Sequence, residues 1–320
     1  MIKKKIDKKT DEQLDLLPNS PKVKRKKKKP ESKKSIVILF LITILFSLAF
    51  FLFGKAPSFL EDANIKEQKE VGNSSNSQGV VSEVAGLTKD LQGDYGFYVY
   101  SLASGKAYGL NSKKEFKSDL FEKLALMIAC FKQEEKGNLD LKTVYILTDE
   151  EKKKDSGVIW AKPAGTHFTY LKLLKMIGQY SDSTAINVLK KRVGEKAIEE
   201  TIEELGVKEI DLKEKTITPT EIGILFRKIY TNEALSEKSA KDFFTFLTET
   251  AFEKKIPRLL PKEVKVSHLE STEGNSFADA GIVFGENPFV IVILVDKAKK
   301  EQAEEVFPQI AKIIWEFENK

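Results

Sequence analysis

Strand-like segments at both ends of residues 80–320, separated by a long run of helical patterns, predict an α/β domain of the α+β kind. Its antiparallel sheet would be assembled from both ends of the domain around a helical insertion spanning about 118–260. An uncharged apolar run ahead of the domain adds an N-terminal transmembrane helix to this fold class.

That run, Ile36 to Phe53, is rich in Ile, Leu and Phe and would rise about 27 Å as a helix, close to the hydrocarbon thickness of a bilayer. Lys22, Lys24, Arg25, Lys26, Lys27, Lys28, Lys29, Lys33 and Lys34 precede it, and the positive-inside rule places them in the cytoplasm. The expected layout is a cytoplasmic basic tail (1–35), a single membrane pass (36–54), a linker (55–79) and an extracytoplasmic domain (80–320) at the plasma membrane. Gly54 and Ala56 suggest a cleavable signal instead, but Pro57 and the long charged lead-in favour an uncleaved anchor. The lysines next to a spanning helix read as a contact with anionic lipid, so no nucleic-acid partner is expected. Gly72-Asn73-Ser74-Ser75-Asn76-Ser77 marks the flexible part of the linker.

With 320 residues and 41% hydrophobic content the chain can bury a sizeable core, and its net charge of +5 comes from the tail. Cys130 is the single cysteine, so no intrachain disulfide can form; its apolar neighbours Leu124, Met127, Ile128 and Phe131 predict a buried thiol. His167 and His268 form no metal-ligand spacing with it and lack a Ser–His–Asp context, so no metal or cofactor is expected and both read as structural or surface residues.

Within the domain, Val81 to Leu91 has helical spacing, and Gly96-Phe97-Tyr98-Val99-Tyr100, Ser104-Gly105-Lys106 and Ala107-Tyr108-Gly109-Leu110 read as a hairpin. Helices are predicted at 120–136, 169–180, 183–192, 195–205, 219–230 and 237–248. Strands return at 264–269, 276–284 and 289–295, and 300–317 forms a closing amphipathic helix.

Several strings then occur in a telling order: Phe116 to Leu124, Asp155-Ser156-Gly157, Pro163 to Thr169, Ser181-Asp182-Ser183, Thr218-Pro219-Thr220-Glu221, and Asp279-Ala280-Gly281-Ile282-Val283. In this order the chain resembles class A β-lactamases and the related serine hydrolases of the penicillin-recognising superfamily, from about Val80 to the C-terminus. The resemblance implies a β-lactamase/transpeptidase-like fold. It also implies a site made of a serine nucleophile with a lysine three residues on, a Ser-Asp-Asn segment and a Lys-Thr-Gly strand.

Here those positions are degenerate. The nucleophile position is Leu120, which has no lone pair to attack a carbonyl, while Lys123 keeps the lysine. The second segment reads Ser181, Asp182, Ser183, residues that are also favoured as a plain N-cap and turn. Ser267-His268-Leu269-Glu270-Ser271 stands at the third, so Leu269, Glu270 and Ser271 replace the ammonium, hydroxyl and glycine, and Glu270 would repel a carboxylate if it faced the cleft. Glu209 and Glu214 read as solvated charges rather than as a deacylating base.

Three functions stay open on these residues. The favoured one is an inactive domain binding cell-wall peptide or an envelope protein; the second is a hydrolase using Ser118 or Ser181 with Lys123; the third is a structural envelope subunit whose cleft is filled by Leu120 and Leu269.

Overall fold

The structure, a computed structural model, describes residues 77–154, 156–208, 210–211 and 214–320, the side chains of Ile210 and Asp211 excepted. The expected basic tail, membrane helix 36–54 and nearly all of the linker lie outside these residues. Among the described residues no helix is long and apolar enough to cross a membrane.

The main sheet contains β1 (Asp94–Ser101), β2 (Ala107–Leu110), β8 (Lys265–Glu273), β9 (Ser276–Phe284) and β10 (Phe289–Asp296). Its order is β2-β1-β10-β9-β8, all antiparallel, so the first hairpin joins the last three strands through a β1–β10 pairing from Asp94↔Asp296 to Ser101↔Phe289. Two chain ends therefore build one sheet, because no strand of either end can bury both faces without the other.

Successive strand residues face opposite layers. Phe97, Val99, Ile291 and Ile293 pack against α1 (Gln78–Thr88) and α8 (Lys300–Glu318), meeting Val84, Phe307 and Ile310. Tyr98, Val290, Val292 and Leu294 face the helical layer, which holds α2 (Leu120–Glu135), α3 (Tyr170–Tyr180), α4 (Ser183–Val193), α5 (Glu195–Leu205), α6 (Pro219–Tyr230) and α7 (Glu237–Phe246). Helix α2 runs through the middle of that layer: from Leu120 to Phe131 only Glu122 escapes burial. An apolar helix hydrophobic on all sides has to be enclosed by others.

Local chemistry sets the helix ends. Thr169, Asp182, Thr218 and Ser236 each accept a backbone N–H in the first turn of α3, α4, α6 and α7, and Pro219 starts α6 where its missing donor costs nothing.

Three departures from expectation have physical causes. The insertion is not wholly helical: β3 (Phe116–Lys117), β6 (Ile210–Asp211) and β7 (Thr216–Ile217) form one small sheet, and β4 (Val144–Ile146) with β5 (His167–Thr169) another. Strands of two or three residues are too short to display alternation. Strand β8 continues past Leu269 to Glu273 because β9 supplies ladder partners for polar residues as well as for apolar ones. Helix α7 stops at Phe246 rather than Thr248, since Thr248 bridges Ser267 and the Leu247 carbonyl accepts the His268 N–H at 2.8 Å.

Candidate functional site

The start of α2 lies under the free edge of β8. Ser118, itself tied by its N–H to the Lys215 carbonyl at 2.9 Å, accepts the Leu120 N–H through Oγ at 3.1 Å. A first-turn donor that would otherwise be open to an anion is thereby satisfied. The Leu120 side chain is 0% exposed and belongs to the same apolar cluster as Leu124 and Leu269, so it turns into the core. Burial of this kind contributes about 1.5–3 kcal/mol.

One turn on, Lys123 is buried, and its Nζ donates to Ser181 Oγ at 3.2 Å and to the Glu270 main-chain carbonyl at 3.1 Å. Asp119 Oδ2 lies 3.8 Å away. Burial raises the Asp119 carboxyl above its ordinary range against the pull of Lys123, and its Oδ1 has no hydrogen-bond partner among the described residues. Ser181 ends α3 in the left-handed region, φ 47°, and donates to the Glu270 carbonyl at 3.2 Å. Lys123 and Ser181 thus join α2, the α3–α4 corner and β8 at one carbonyl oxygen.

The next two residues hold the corner. Asp182 is fully buried; Oδ1 accepts the Ala185 N–H at 3.0 Å and Oδ2 accepts those of Val158 and Ile159 at 2.7 and 2.8 Å. Gly157, at φ +69°, lies so close that an added Cβ would sit 2.2 Å from Asp182 Oδ2. Ser183 Oγ accepts from Ser156 Oγ at 2.6 Å.

On β8, Leu269 faces the helical layer and is fully buried. Glu270 turns the other way and its carboxylate is not in the cleft: Oε2 accepts from Lys255 Nζ at 2.7 Å, both side chains being about a tenth exposed or less. Lys255 also reaches Thr272 Oγ1 and the carbonyls of Ser271 and Ala278, and stands 5.4 Å over the Phe307 ring. Ser271 is buried beside it. Sequence reasoning missed Lys255, which follows Glu253 and Lys254 in a run that reads as solvated; no local signal distinguishes it.

His268 is buried on β8 between a threonine hydroxyl and an aspartate. Its Nδ1 is 2.7 Å from Asp279 Oδ1 and its Nε2 is 3.1 Å from Thr250 Oγ1, with Glu253 Oε1 at 3.6 Å. Burial alone would push the ring's pKa down, but Asp279 and Glu253 outweigh it and bring it to about 9. The upward direction favours the imidazolium, which would donate from both ring nitrogens, to Asp279 and to Thr250, and so hold the carboxylate in place rather than act as a base. His167 is exposed on β5, Glu214 is exposed, and Glu209 lies outside the described residues. Cys130 is buried, which pushes its thiol pKa up.

A five-stranded antiparallel sheet from both chain ends, a buried central helix and a lysine one turn into it that meets a serine at a helix corner define a β-lactamase-like, penicillin-recognising fold. The family model described as the beta-lactamase enzyme family matches residues 79–317, and the chain belongs to that family. Among solved structures it is similar to a beta-lactamase from Chitinophaga pinensis, with 24% identity, a TM-score of 0.70 and 74% of this chain on 98% of that one. A beta-lactamase from Sphaerobacter thermophilus gives 20% identity and a TM-score of 0.71, covering 76% of this chain and 97% of that one. A point mutant of PBP-A, in an acyl-enzyme complex with penicillin G, gives 19% identity and a TM-score of 0.68, covering 75% of this chain and 96% of that one. No curated protein matches the chain.

Proposed function

We propose that the chain is a membrane-anchored, extracytoplasmic β-lactamase-like domain that forms no acyl-enzyme and serves the cell envelope as a binding or structural component. The observation that carries this reading is the fully buried Leu120 at the nucleophile position, beneath a lysine whose Nζ is already bonded to Ser181 and Glu270. The absence of an ammonium at Leu269 and the closure of the β8 edge by Lys123, Ser181 and Leu247 favour a partner that is another envelope protein over a peptide lying in the cleft. Anchoring rests on the apolar run 36–54 and the basic tail before it.

Incubating the full chain with a fluorescent penicillin tests the chemistry. No covalent label is expected, and a stoichiometric adduct by intact mass would end the reading. Protease shaving of intact cells tests the topology: cleavage should remove residues 80–320 and spare the tail.

One observation favours a second reading, a hydrolase using Ser181 with Lys123 as base: the two side chains are 3.2 Å apart. Ser118 has a weaker claim, since the serine that Lys123 Nζ contacts is Ser181 while Ser118 Oγ caps the Leu120 N–H. Turnover of a chromogenic cephalosporin that disappears in Lys123→Ala would establish this hydrolase.

A further inference from the structure

At the edge of the sheet opposite the degenerate site, a cavity of about 380 Å³ opens between the β1–β2 turn, the β9–β10 turn and the end of α8. Ser101, Lys106, Tyr108, Asn287, Phe317 and Glu318 are among the residues that line it. Its walls are tied together. The Leu102 N–H donates to the Pro288 carbonyl at 2.9 Å, the Asn287 N–H to Asn319 Oδ1 at 3.1 Å, and the Tyr108 hydroxyl to Glu318 Oε1 at 2.9 Å. Tyr108 and Phe317 meet edge to face, with ring centroids 5.6 Å apart. Among the described residues neither the Lys106 ammonium, which is exposed, nor the Asn287 amide, which is half-buried, has a protein partner, so both can turn from solvent to a ligand in the cavity.

The lining discriminates between ligand classes. An anion would meet the Glu318 carboxylate, and a metal ion would find one carboxylate, already accepting from Tyr108, beside an ammonium. A purely apolar ligand would strip water from Ser101, Asn287 and Glu318 without replacing its hydrogen bonds. A neutral molecule with many hydroxyls and a C–H face satisfies every group. The volume lies at the lower end of the roughly 300–1,000 Å³ typical of ligand sites, which limits the occupant to one or two rings. We propose that this cavity is a binding site for a neutral saccharide of one or two rings, with Asn287, Lys106 and Glu318 holding hydroxyls and Phe317 supplying an apolar wall. The proposal is independent of whether the degenerate site has activity.

Saturation-transfer NMR on the full chain, held in a detergent without a sugar headgroup, tests it with N,N′-diacetylchitobiose, maltose and lactose as probes. Transfer to at least one sugar is expected. Asn287→Ala and Lys106→Ala should each weaken it about tenfold. Among the described residues neither side chain has a protein partner to lose, so both variants should melt with the wild type. Ser181→Ala, at the other edge of the sheet, should bind as the wild type does. No transfer from any of the three sugars, or transfer undiminished in both cavity variants, overturns the proposal.

Discussion

Lys123 Nζ and the main-chain carbonyl of Glu270 are 3.1 Å apart, and that contact bolts the buried helix α2 to the free edge of the sheet. An edge strand presents a row of unpaired groups to whatever comes near. Here β8 has its Glu270 carbonyl engaged by Lys123 and Ser181 and its His268 N–H engaged by Leu247, so the chain itself occupies two of the places at which an extended ligand would pair.

Replacing Lys123 by methionine keeps the stem and removes the donor. Hydrogen bonds to charged groups contribute about 1.5–3 kcal/mol, so Lys123→Met should lose roughly that much in urea unfolding. Faster amide exchange is expected at Ser271 and Thr272, beyond the released carbonyl. Unchanged exchange there would mean that Lys123 does not hold the edge.

Restoring a hydroxyl should not restore chemistry. Leu120→Ser places an oxygen one turn from Lys123, but position 120 is buried and Leu269 still offers no cation to a substrate carboxylate. The variant should be unlabelled by a fluorescent penicillin while losing about 3–5 kcal/mol through a core cavity and a buried hydroxyl. Labelling of Leu120→Ser, with none in the wild type, would show that the missing oxygen alone silences the site.

The Lys255–Glu270 pair is enclosed by Phe307 and by three further oxygens. Removing one partner of a buried pair typically costs about 3–5 kcal/mol, because the other charge is stranded. Lys255→Met and Glu270→Leu should each fall in that range, and the double variant should recover much of the loss. A double variant as unstable as the sum of the singles would show that the two side chains do not act as a pair.

How far the sequence carried these features depends on whether their signal is local. Helices 195–205 and 219–230 could be read to the residue, since Gly206 closes one and Thr218-Pro219 opens the other. The two-ended sheet was legible because strand-like segments bracket a long helical insertion, and the strands of the two ends do pair in one sheet. Leu120, Lys123 and Ser181 were legible as a group through the order of motifs, although what each side chain touches was not. The direction of Glu270 depended on β8 continuing beyond its apolar part, and the partners of Glu270 and His268 lie 15 and 11 residues away in sequence. Such pairs leave no periodicity, and a lysine in a charged run looks the same whether it is solvated or buried.

Gly157 makes a sharp test of the corner beneath Ser181. Its φ of +69° is costly for a residue with a side chain, and a Cβ there would push against Asp182 Oδ2, which holds Val158 and Ile159. Gly157→Ala should destabilise by at least about 2 kcal/mol, from backbone strain plus loss of charge-assisted bonds. Asp182→Asn, which keeps the shape and halves the acceptor capacity, should cost less. A Gly157→Ala protein as stable as the wild type would remove Asp182 from its role as the corner's anchor.

Alkaline pH should loosen the domain through His268. In the folded chain the ring's pKa is raised from 6.5 to about 9 by Asp279 and Glu253 acting against burial. The folded state therefore holds the proton more tightly than the unfolded one, and the resulting stability is fully present below pH 6.5 and lost as pH rises through about 9. A shift of this size corresponds to about 3 kcal/mol. Urea unfolding of the wild type and of His268→Gln should accordingly diverge: the difference between them is largest near pH 6 and shrinks by about that amount by pH 10. Subtracting the variant removes the titration of tyrosines and lysines common to both. A difference that stays constant across the window would mean that the ring is neutral in the folded state, and the Thr250–His268–Asp279 arrangement would then have a lone pair after all.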